Sequence, residues 1–293
     1  MEITFNLVAQ QLVTGLALGS IYVLVGVGLS LVFGLLNIVN FAHGAFFMVG
    51  AYVGVFVFAR TGNFWICMVA VPVISGAIGM LVERFLVRPL YGRGIDYPLL
   101  LTFGLAYVLM DLARLFFGVQ GEQFDTPELL QGAVDIGVGM FPLYRLFLIA
   151  VTAVILLALW LFIEKTRFGL IVRAGARDPL VLRVLGINIS NVWLVIFGIG
   201  SAIAGLAGLL AAPMRGVSPE MGAPILIEAF VITVVGGMGS LGGAVAAGLL
   251  LGVVVSFTTL FQPELAEFSM FALMAITLIF KPNGLFGQKG LMS

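Results

Sequence analysis

The chain has 293 residues, of which 61% are apolar and 10% charged, whereas an ordinary soluble domain is about half apolar and about a quarter charged. Its 14 basic and 14 acidic side chains give no net charge, so the composition gives no footprint of a nucleic-acid-binding protein. One cysteine and one histidine exclude an internal disulfide and a Cys/His metal cluster.

The apolar residues are grouped in long runs, and the mean hydropathy is +1.20. A helix needs about 20 apolar residues to cross the hydrocarbon core, and these runs lack the alternation of barrel strands. The sequence therefore predicts an all-α, polytopic integral membrane bundle of about eight or nine spans, forming a single transmembrane domain over 1–293. The N-terminal segment carries Glu2 and no basic residue, so the first run is expected to be retained as a span. Eight spans are expected at 8–35, 42–59, 64–82, 97–117, 143–163, 192–212, 241–261 and 265–279.

A ninth apolar stretch, 224–235, is short for a crossing and has two interpretations. It either crosses the bilayer or enters and returns as a broken helix, with its non-helical backbone buried in protein. Glu228 lies within this stretch, and a carboxylate at membrane depth is by default a functional-site candidate. A position at the outer interface is the alternative for Glu228.

Basic residues predict the orientation, because they stay on the cytoplasmic side during insertion. The segments after the third and fifth spans are rich in arginine, whereas 118–142 carries acidic residues and no lysine or arginine. We therefore expect the first two segments in the cytoplasm and 118–142 outside. If 224–235 crosses, the N-terminus lies outside and the C-terminal tail, with Lys281 and Lys289, lies inside.

Two interruptions between apolar helices lie in the two halves of the chain. In the first, Asn37, Asn40 and His43 recur every three residues and precede Gly44, so they are expected on one side of a helix or along a break between two helices. Interrupted helices at matching places in two halves point to a transporter site. The four residues are therefore candidate substrate-pathway residues and the halves are hypothesised to be related. Interhelical hydrogen bonding, a cytoplasmic turn and coincidence among 38 glycines are the alternatives.

The second interruption contains Gly236, Gly237, Gly239 and Ser240. A nucleotide-binding loop is excluded, because the segment has no phosphate-binding lysine and follows an apolar helix instead of a strand. A tight turn or a close approach of helices is favoured over direct contact with a ligand. These four residues join Glu228 as candidates for the substrate pathway.

The segment 164–191 has the charge and the amphipathic pattern to contact a soluble partner. Its apolar residues between Pro179 and Gly186 follow helical spacing, with proline suited to a first helical turn and glycine to an end. The pattern predicts a short surface helix. A solvated loop at the lipid headgroups is the alternative.

Five short motifs then carry a resemblance that covers nearly the whole chain: LGSIY at 18–22, NFAHG at 40–44, GIN at 186–188, VGGMGSLGG at 235–243 and FKPNG at 280–284. In this order they resemble the LivH-type permease subunits of branched-chain amino-acid ATP-binding-cassette importers. The resemblance implies a non-catalytic, multi-pass permease of the bacterial inner membrane, without a cofactor or metal of its own. It implies four partner subunits besides lipid: a LivM-type permease, two cytoplasmic ATPases that use ATP, and a periplasmic substrate-binding protein. It also implies that branched-chain or related small neutral amino acids cross by alternating access.

The resemblance further assigns 164–191 to the loop that couples the permease to an ATPase. An Arg-Ala-Gly-Ala run at 173–176 stands where a Glu-Ala-Ala run is common in importers, so individual contacts stay open. The candidate coupling residues are Arg173, Arg177, Asp178, Leu180, Leu185, Gly186 and Ile187.

Other functions stay open at this point. The resemblance also admits other substrates, since permeases of similar pattern carry urea, short amides or aromatic acids. An ion-coupled secondary transporter would use Glu228 with Asp111, although Asp111 and Arg114 are spaced as a structural i, i+3 pair. A membrane enzyme is disfavoured by the single histidine, and a channel would conduct without nucleotide.

Overall fold

The computed structural model describes residues 5–135, 137 and 139–287, and these are largely helical. Two short strands, β1 (Ala133–Asp135) and β2 (Met140–Pro142), form an antiparallel pair in which Val134 faces Phe141. The helices in the described residues are α1 (Phe5–Leu36), α2 (His43–Thr61), α3 (Phe64–Val82), α4 (Asp96–Phe117), α5 (Leu143–Lys165), α6 (Arg167–Arg177), α7 (Pro179–Val184), α8 (Ile189–Arg215), α9 (Gly222–Gly236), α10 (Leu241–Phe261) and α11 (Ala266–Phe280).

The predicted spans agree with these helices. In the described residues, nine helical stretches are long and apolar enough to cross a membrane, which confirms the polytopic helical fold. Each of the eight predicted spans matches one helix to within three residues at either end. The ambiguous stretch 224–235 lies inside α9, which forms one continuous helical segment with the 3-10 turn Pro219–Met221. Lys289 lies outside the described residues.

Some elements are not predicted from the sequence. The segment 164–191 contains two helices, α6 and α7, and only α7 is expected from the spacing of apolar residues. The helix α6 begins after Thr166, whose hydroxyl accepts a hydrogen bond from the Gly169 backbone N–H at 3.0 Å. A π-helical turn at Glu83–Val87 continues α3, and such turns are frequent at functional sites.

The chain divides into two compact units. Unit 1 comprises Met1–Val27, Asp125–Val154 and Glu228–Ser293, and unit 2 comprises Gly28–Phe124 and Ile155–Ile227. The expectation of a single transmembrane domain with a coupling loop at 164–191 stays a prediction.

In unit 1, α1 packs closely against α10. A side chain at Gly252 would overlap the backbone of Gly19, so the observed approach of the two helices requires glycine at position 252. Two hydrogen bonds also connect these helices. The Ser256 hydroxyl donates to the Gln11 carbonyl at 2.9 Å, and the Gln11 side chain donates to the Ser256 carbonyl. These reciprocal bonds satisfy part-buried polar groups between two apolar helices.

In unit 2, α2, α3 and α8 form the core. The helices α2 and α8 approach through glycine, since a side chain at Gly208 would overlap the Phe47 carbonyl and one at Gly50 would overlap Gly205. Close backbone contact of this kind is how helices associate where lipid removes the hydrophobic driving force. The single cysteine, Cys67, is a free thiol that is fully buried in this core.

Candidate functional site

The break between α1 and α2 begins at Asn37. This residue is exposed and has φ +52°, and its backbone N–H donates to the Phe33 carbonyl at 2.9 Å. Asparagine tolerates the left-handed conformation that often ends a helix. Asn37 therefore ends α1 and stands apart from the buried residues that follow it.

Asn40, His43 and Gly44 lie in the interior of unit 2. Asn40 is fully buried, its Oδ1 accepts from the Ala42 N–H at 3.0 Å, and its Nδ2 has no hydrogen-bond partner among the described residues. His43 is also fully buried, and a side chain at Gly28 would lie 3.0 Å from its Cε1. The backbones of Gly44 and Gly222 are in contact, so the break brings a buried amide and imidazole beside the start of α9.

The second interruption lies in unit 1 and connects α9 with α10. Gly237 and Gly239 have φ values of +101° and +79°, which favour glycine. The Ser240 hydroxyl caps α10 by accepting from the Gly243 N–H at 3.1 Å. The chain after α11 returns here, because the Phe286 N–H donates to the Gly236 carbonyl at 3.0 Å.

The glycines of this interruption thus form a tight turn and admit a second backbone. Of the other candidates, Glu228 is half-buried in α9 of unit 1. Whether Glu228 and the glycines contact substrate stays a prediction.

A charged cluster in unit 2 lies at the C-terminal end of α4. Arg114 Nη1 donates to Asp111 Oδ1 at 3.1 Å, which confirms the predicted i, i+3 pair. Arg114 Nη2 also donates to Glu220 Oε1 at 2.9 Å. Glu220 is 106 positions away in the chain, and no local pattern indicates this contact.

A second charged cluster, the Glu83 cluster, connects the end of α3 to the start of α8. The Glu83 carboxylate is 0% exposed and accepts from Arg88 Nη2 at 2.9 Å and from the Tyr91 hydroxyl at 2.9 Å. Arg88 Nη2 also donates to the Ser190 carbonyl at 2.9 Å, and the Tyr91 ring stacks edge-on against Trp193. Burial and the Glu83 carboxylate raise the pKa of the Tyr91 phenol above its usual value of about 10.

The Glu83 cluster is not predicted from the sequence, where Arg88 serves only as an orientation signal. The available signal is an acidic residue at the end of an apolar run with an arginine five positions later. A carboxylate buried to this degree is stable only when it is paired and hydrogen-bonded.

The helices α6 and α7 form a segment attached to the rest of unit 2. Within it, Leu182 is 3% exposed and fills the space beside Gly175, where a side chain would lie 2.8 Å from Leu182 Cδ1. A side chain at Gly169 would overlap the Ile163 carbonyl, so α6 folds directly back on the end of α5. Arg173 also connects α6 to the end of α5, because its Nη1 donates to Glu164 at 2.9 Å and to the Ile163 carbonyl.

The ends of α7 have the expected signals. Asp178 Oδ1 accepts from the Leu180 N–H at 2.8 Å, and Pro179 occupies the first turn. At the other end, Gly186 has φ +77°, and the Ile187 N–H donates to the Leu182 carbonyl at 3.0 Å, which is a Schellman ending. The predicted surface helix is confirmed.

The outward face of α7 is apolar. The large side chains on it are 51% to 87% exposed: Leu180, Val181, Val184 and Leu185. Arg177 and Asp178 beside them are exposed as well. Contiguous apolar exposure with a polar rim marks an interaction surface.

Among the described residues, no group of three or more His, Cys, Asp or Glu side chains could hold a metal ion. The features that remain are broken and closely packed helices, buried polar side chains within a helical bundle, and an apolar surface helix. Together they define a multi-span helical membrane protein of the transporter class.

Comparisons with known proteins specify that class. The chain matches the family described as "Branched-chain amino acid transport system / permease component" over residues 11–278. It belongs to this family.

Curated relatives match over nearly the whole chain. The permease protein BraD of a high-affinity branched-chain amino acid transport system from Pseudomonas aeruginosa is 32% identical, over 95% of each chain. The LivH permease protein from Escherichia coli is 31% identical over 95% of each chain. The LivM permease protein from Salmonella typhimurium is 30% identical, over 90% of this chain and 67% of its own.

A solved structure shares the fold. PsaBC from Streptococcus pneumoniae, in complex with Fab, matches 96% of this chain and 93% of its own with a TM-score of 0.52. At 14% identity, this likeness concerns the fold alone.

Proposed function

We propose that this chain is a non-catalytic permease subunit of an ATP-driven importer that moves branched-chain amino acids into the cytoplasm. Family membership supports the permease role, and the names of BraD and LivH supply the substrate class. The exposed apolar face of α7 is the structural observation that carries the ATP-driven part of the proposal. A free surface of this kind on a short helix needs a partner to cover it.

The partner proposed for α7 is a cytoplasmic ATPase subunit. Leu180, Val184 and Leu185 would enter an apolar groove, with Arg177 and Asp178 at its rim. The Schellman ending and the Asp178 cap keep α7 helical without a partner, so little ordering entropy opposes docking. The arginine-rich segment after α3 and the arginines of α6 support a cytoplasmic location for this face.

Movement of α7 has a route into the membrane helices. The Leu182 contact fixes α7 to α6, and α8 begins five residues after α7 ends. At the start of α8, the Ser190 carbonyl is bonded to Arg88 of the Glu83 cluster. Closure of the ATPases on ATP would therefore move α6, α7 and the ends of α3 and α8 as one body and change access to the pathway.

The complete complex would contain a LivM-type permease, two ATPases and a periplasmic substrate-binding protein. The buried Asn40, His43 and Gly44 are the pathway candidates in unit 2, and Glu228, Gly236, Gly237, Gly239 and Ser240 are those in unit 1. With α9 as a crossing, the N-terminus lies outside and the C-terminus in the cytoplasm of a multi-pass inner-membrane protein.

Uptake by the reconstituted complex tests this function. Proteoliposomes with both permeases, the ATPases and the binding protein should accumulate leucine only when ATP and the binding protein are present. Uptake driven by an ion gradient without ATPases would identify a secondary transporter instead. Uptake of urea or short amides in place of leucine would reject the proposed substrate.

A substitution on α7 tests its proposed role in docking the ATPase. Leu185→Asp places a charge on the docking face and should lower ATPase co-purification and leucine uptake at least about tenfold, since a charge buried without a partner costs several kcal/mol. Leu129→Asp is the matched control, because Leu129 is 74% exposed in the segment expected outside. Equal behaviour of the two variants would reject α7 as the coupling helix.

A further inference from the structure

Unit 2 contains a cavity of about 320 Å³ beside the break between α1 and α2. It lies between α2, α4 and the chain that begins α9, and its wall is apolar over most of its surface, with Phe41, Met48, Phe103, Met110 and Leu226 among its residues. Ligand pockets span about 300–1,000 Å³. The volume therefore suits one small molecule.

One side of this cavity is charged. Arg114 and Glu220 line it, and Asp111 adjoins them through Arg114. A guanidinium has five N–H donors, and Arg114 uses three of them, on Nε and Nη2 to Glu220 and on Nη1 to Asp111. One N–H on each terminal nitrogen is left for another acceptor.

The acidic partners also have spare capacity. Both hydrogen bonds to Glu220 end on Oε1, and the bond to Asp111 ends on Oδ1. Among the described residues, nothing donates to Glu220 Oε2 or Asp111 Oδ2. These side chains are 56% and 68% exposed, so a ligand can reach them without displacing a buried pair.

We propose that this cavity is a binding site for the transported amino acid on its way through the permease. The proposal rests on the proposed function and locates a substrate-binding site within this chain. The ligand's ammonium binds Glu220 and Asp111, its carboxylate binds the free N–H groups of Arg114, and its branched side chain occupies the apolar end. A zwitterion satisfies both signs of charge at once, which neither a simple anion nor a hydrocarbon chain does.

The position of the cavity connects it to the pathway candidates. Its residues Phe41 and Ala45 flank Asn40, His43 and Gly44 in the chain, and the Phe41 N–H is fixed by Thr102 Oγ1 at 3.1 Å. Gly222, which touches Gly44, lines the cavity as well. An amino acid bound here would lie next to the buried amide and imidazole of the break.

Selectivity of uptake tests the apolar end, because a general loss of folding lowers the uptake of all substrates alike. Leucine is one methylene longer than valine, and one buried methylene changes affinity about fourfold. Uptake of the two is compared in the reconstituted complex at saturating, loaded binding protein. Ala106→Phe fills the cavity and should lower the ratio of leucine to valine uptake about fourfold, with Ala106→Val as a milder form.

Two further variants complete this test. Val108→Phe is the matched control, because Val108 is 54% exposed on α4 and does not line the cavity, and it should leave the ratio unchanged. Met110→Ala enlarges the cavity and should raise the ratio. Unchanged ratios in all three cavity variants would overturn the site, whereas failure of the wild-type complex to transport leucine would overturn the proposed function itself.

The charged side has a separate readout. Arg114→Gln should raise the KM for leucine and valine by the same factor, about tenfold for one lost charge-assisted pair, and Arg114→Lys should recover part of the loss. Unaltered KM values would overturn the assignment of the carboxylate to Arg114. A lipid site is the competing outcome. If the amount of bound phosphatidylethanolamine is lower in Ala106→Phe than in the wild type while the ratio of leucine to valine uptake is unchanged, the cavity binds lipid and the proposal is rejected.

Discussion

The two charged clusters of unit 2 differ in burial, and this difference separates support from recognition. The Glu83 carboxylate is fully buried and held by Arg88 and Tyr91, whereas the Arg114 cluster is open to solvent on all three of its side chains. The turn that contains Glu83 precedes α4 at Asp96, and Arg114 lies 18 residues further on, which is roughly 27 Å along a helix. One cluster thus joins helices α3 and α8 near the proposed coupling segment, and the other offers unused donors and acceptors at the C-terminal end of α4.

Breaking the Glu83 cluster should have the largest effect. Arg88→Met leaves the Glu83 carboxylate buried without its charged partner, so we expect the free energy of unfolding to fall by about 3–5 kcal/mol. Reaction of Cys67 with a thiol dye during denaturation measures this in the purified chain, since this single cysteine is buried in the folded state. Arg84→Met is the control, because Arg84 is exposed, and an equal loss in both variants would contradict the assignment.

The Tyr91 phenol gives the Glu83 cluster a pH-dependent contribution to stability that the Arg114 cluster is not expected to have. Its folded-state pKa is raised, so its contribution to stability is complete below the unfolded pKa and is lost as pH rises above it. We expect the free energy of unfolding to decline above about pH 10 by up to about 1.4 kcal/mol per pH unit from this group. Tyr91→Phe should make the alkaline decline shallower in pH-dependent unfolding, and a parallel curve would refute the role of the phenol.

Removing the exposed cluster should have the smallest effect on stability. Arg114→Gln should lower the free energy of unfolding by less than about 1 kcal/mol, because water screens exposed ion pairs. The difference from wild type should shrink further in 1 M salt, where the screening length is about 3 Å. If unfolding measurements gave Arg114→Gln a loss as large as that of Arg88→Met, Arg114 would be structural and the proposed amino-acid site would lose its support.

Local sequence predicts some elements of the candidate sites and misses others. The α7 helix is predictable, because the proline that starts it and the glycine that ends it are helix-end signals that depend only on residues within one helical turn. The helix α6 is missed, since its start depends on one hydroxyl of Thr166 and on its fold-back against Ile163. For the proposed substrate pathway, the sequence identifies the polar break at Asn40 and His43 but not the cavity beside it.

The sequence by itself determined that this protein is a helical membrane protein, where its spans lie and to which family its motifs belong. Hydropathy and strong helix-end signals, such as Pro179 and Gly186 of α7, are properties of neighbouring residues, so they can be recognised without a fold. Only the tertiary structure decided that Arg114 meets Glu220 and that Arg88 meets the Ser190 carbonyl, across 106 and 102 positions of chain. Such contacts depend on which helix faces pack together, and apolar runs facing lipid and protein alike do not encode that choice locally.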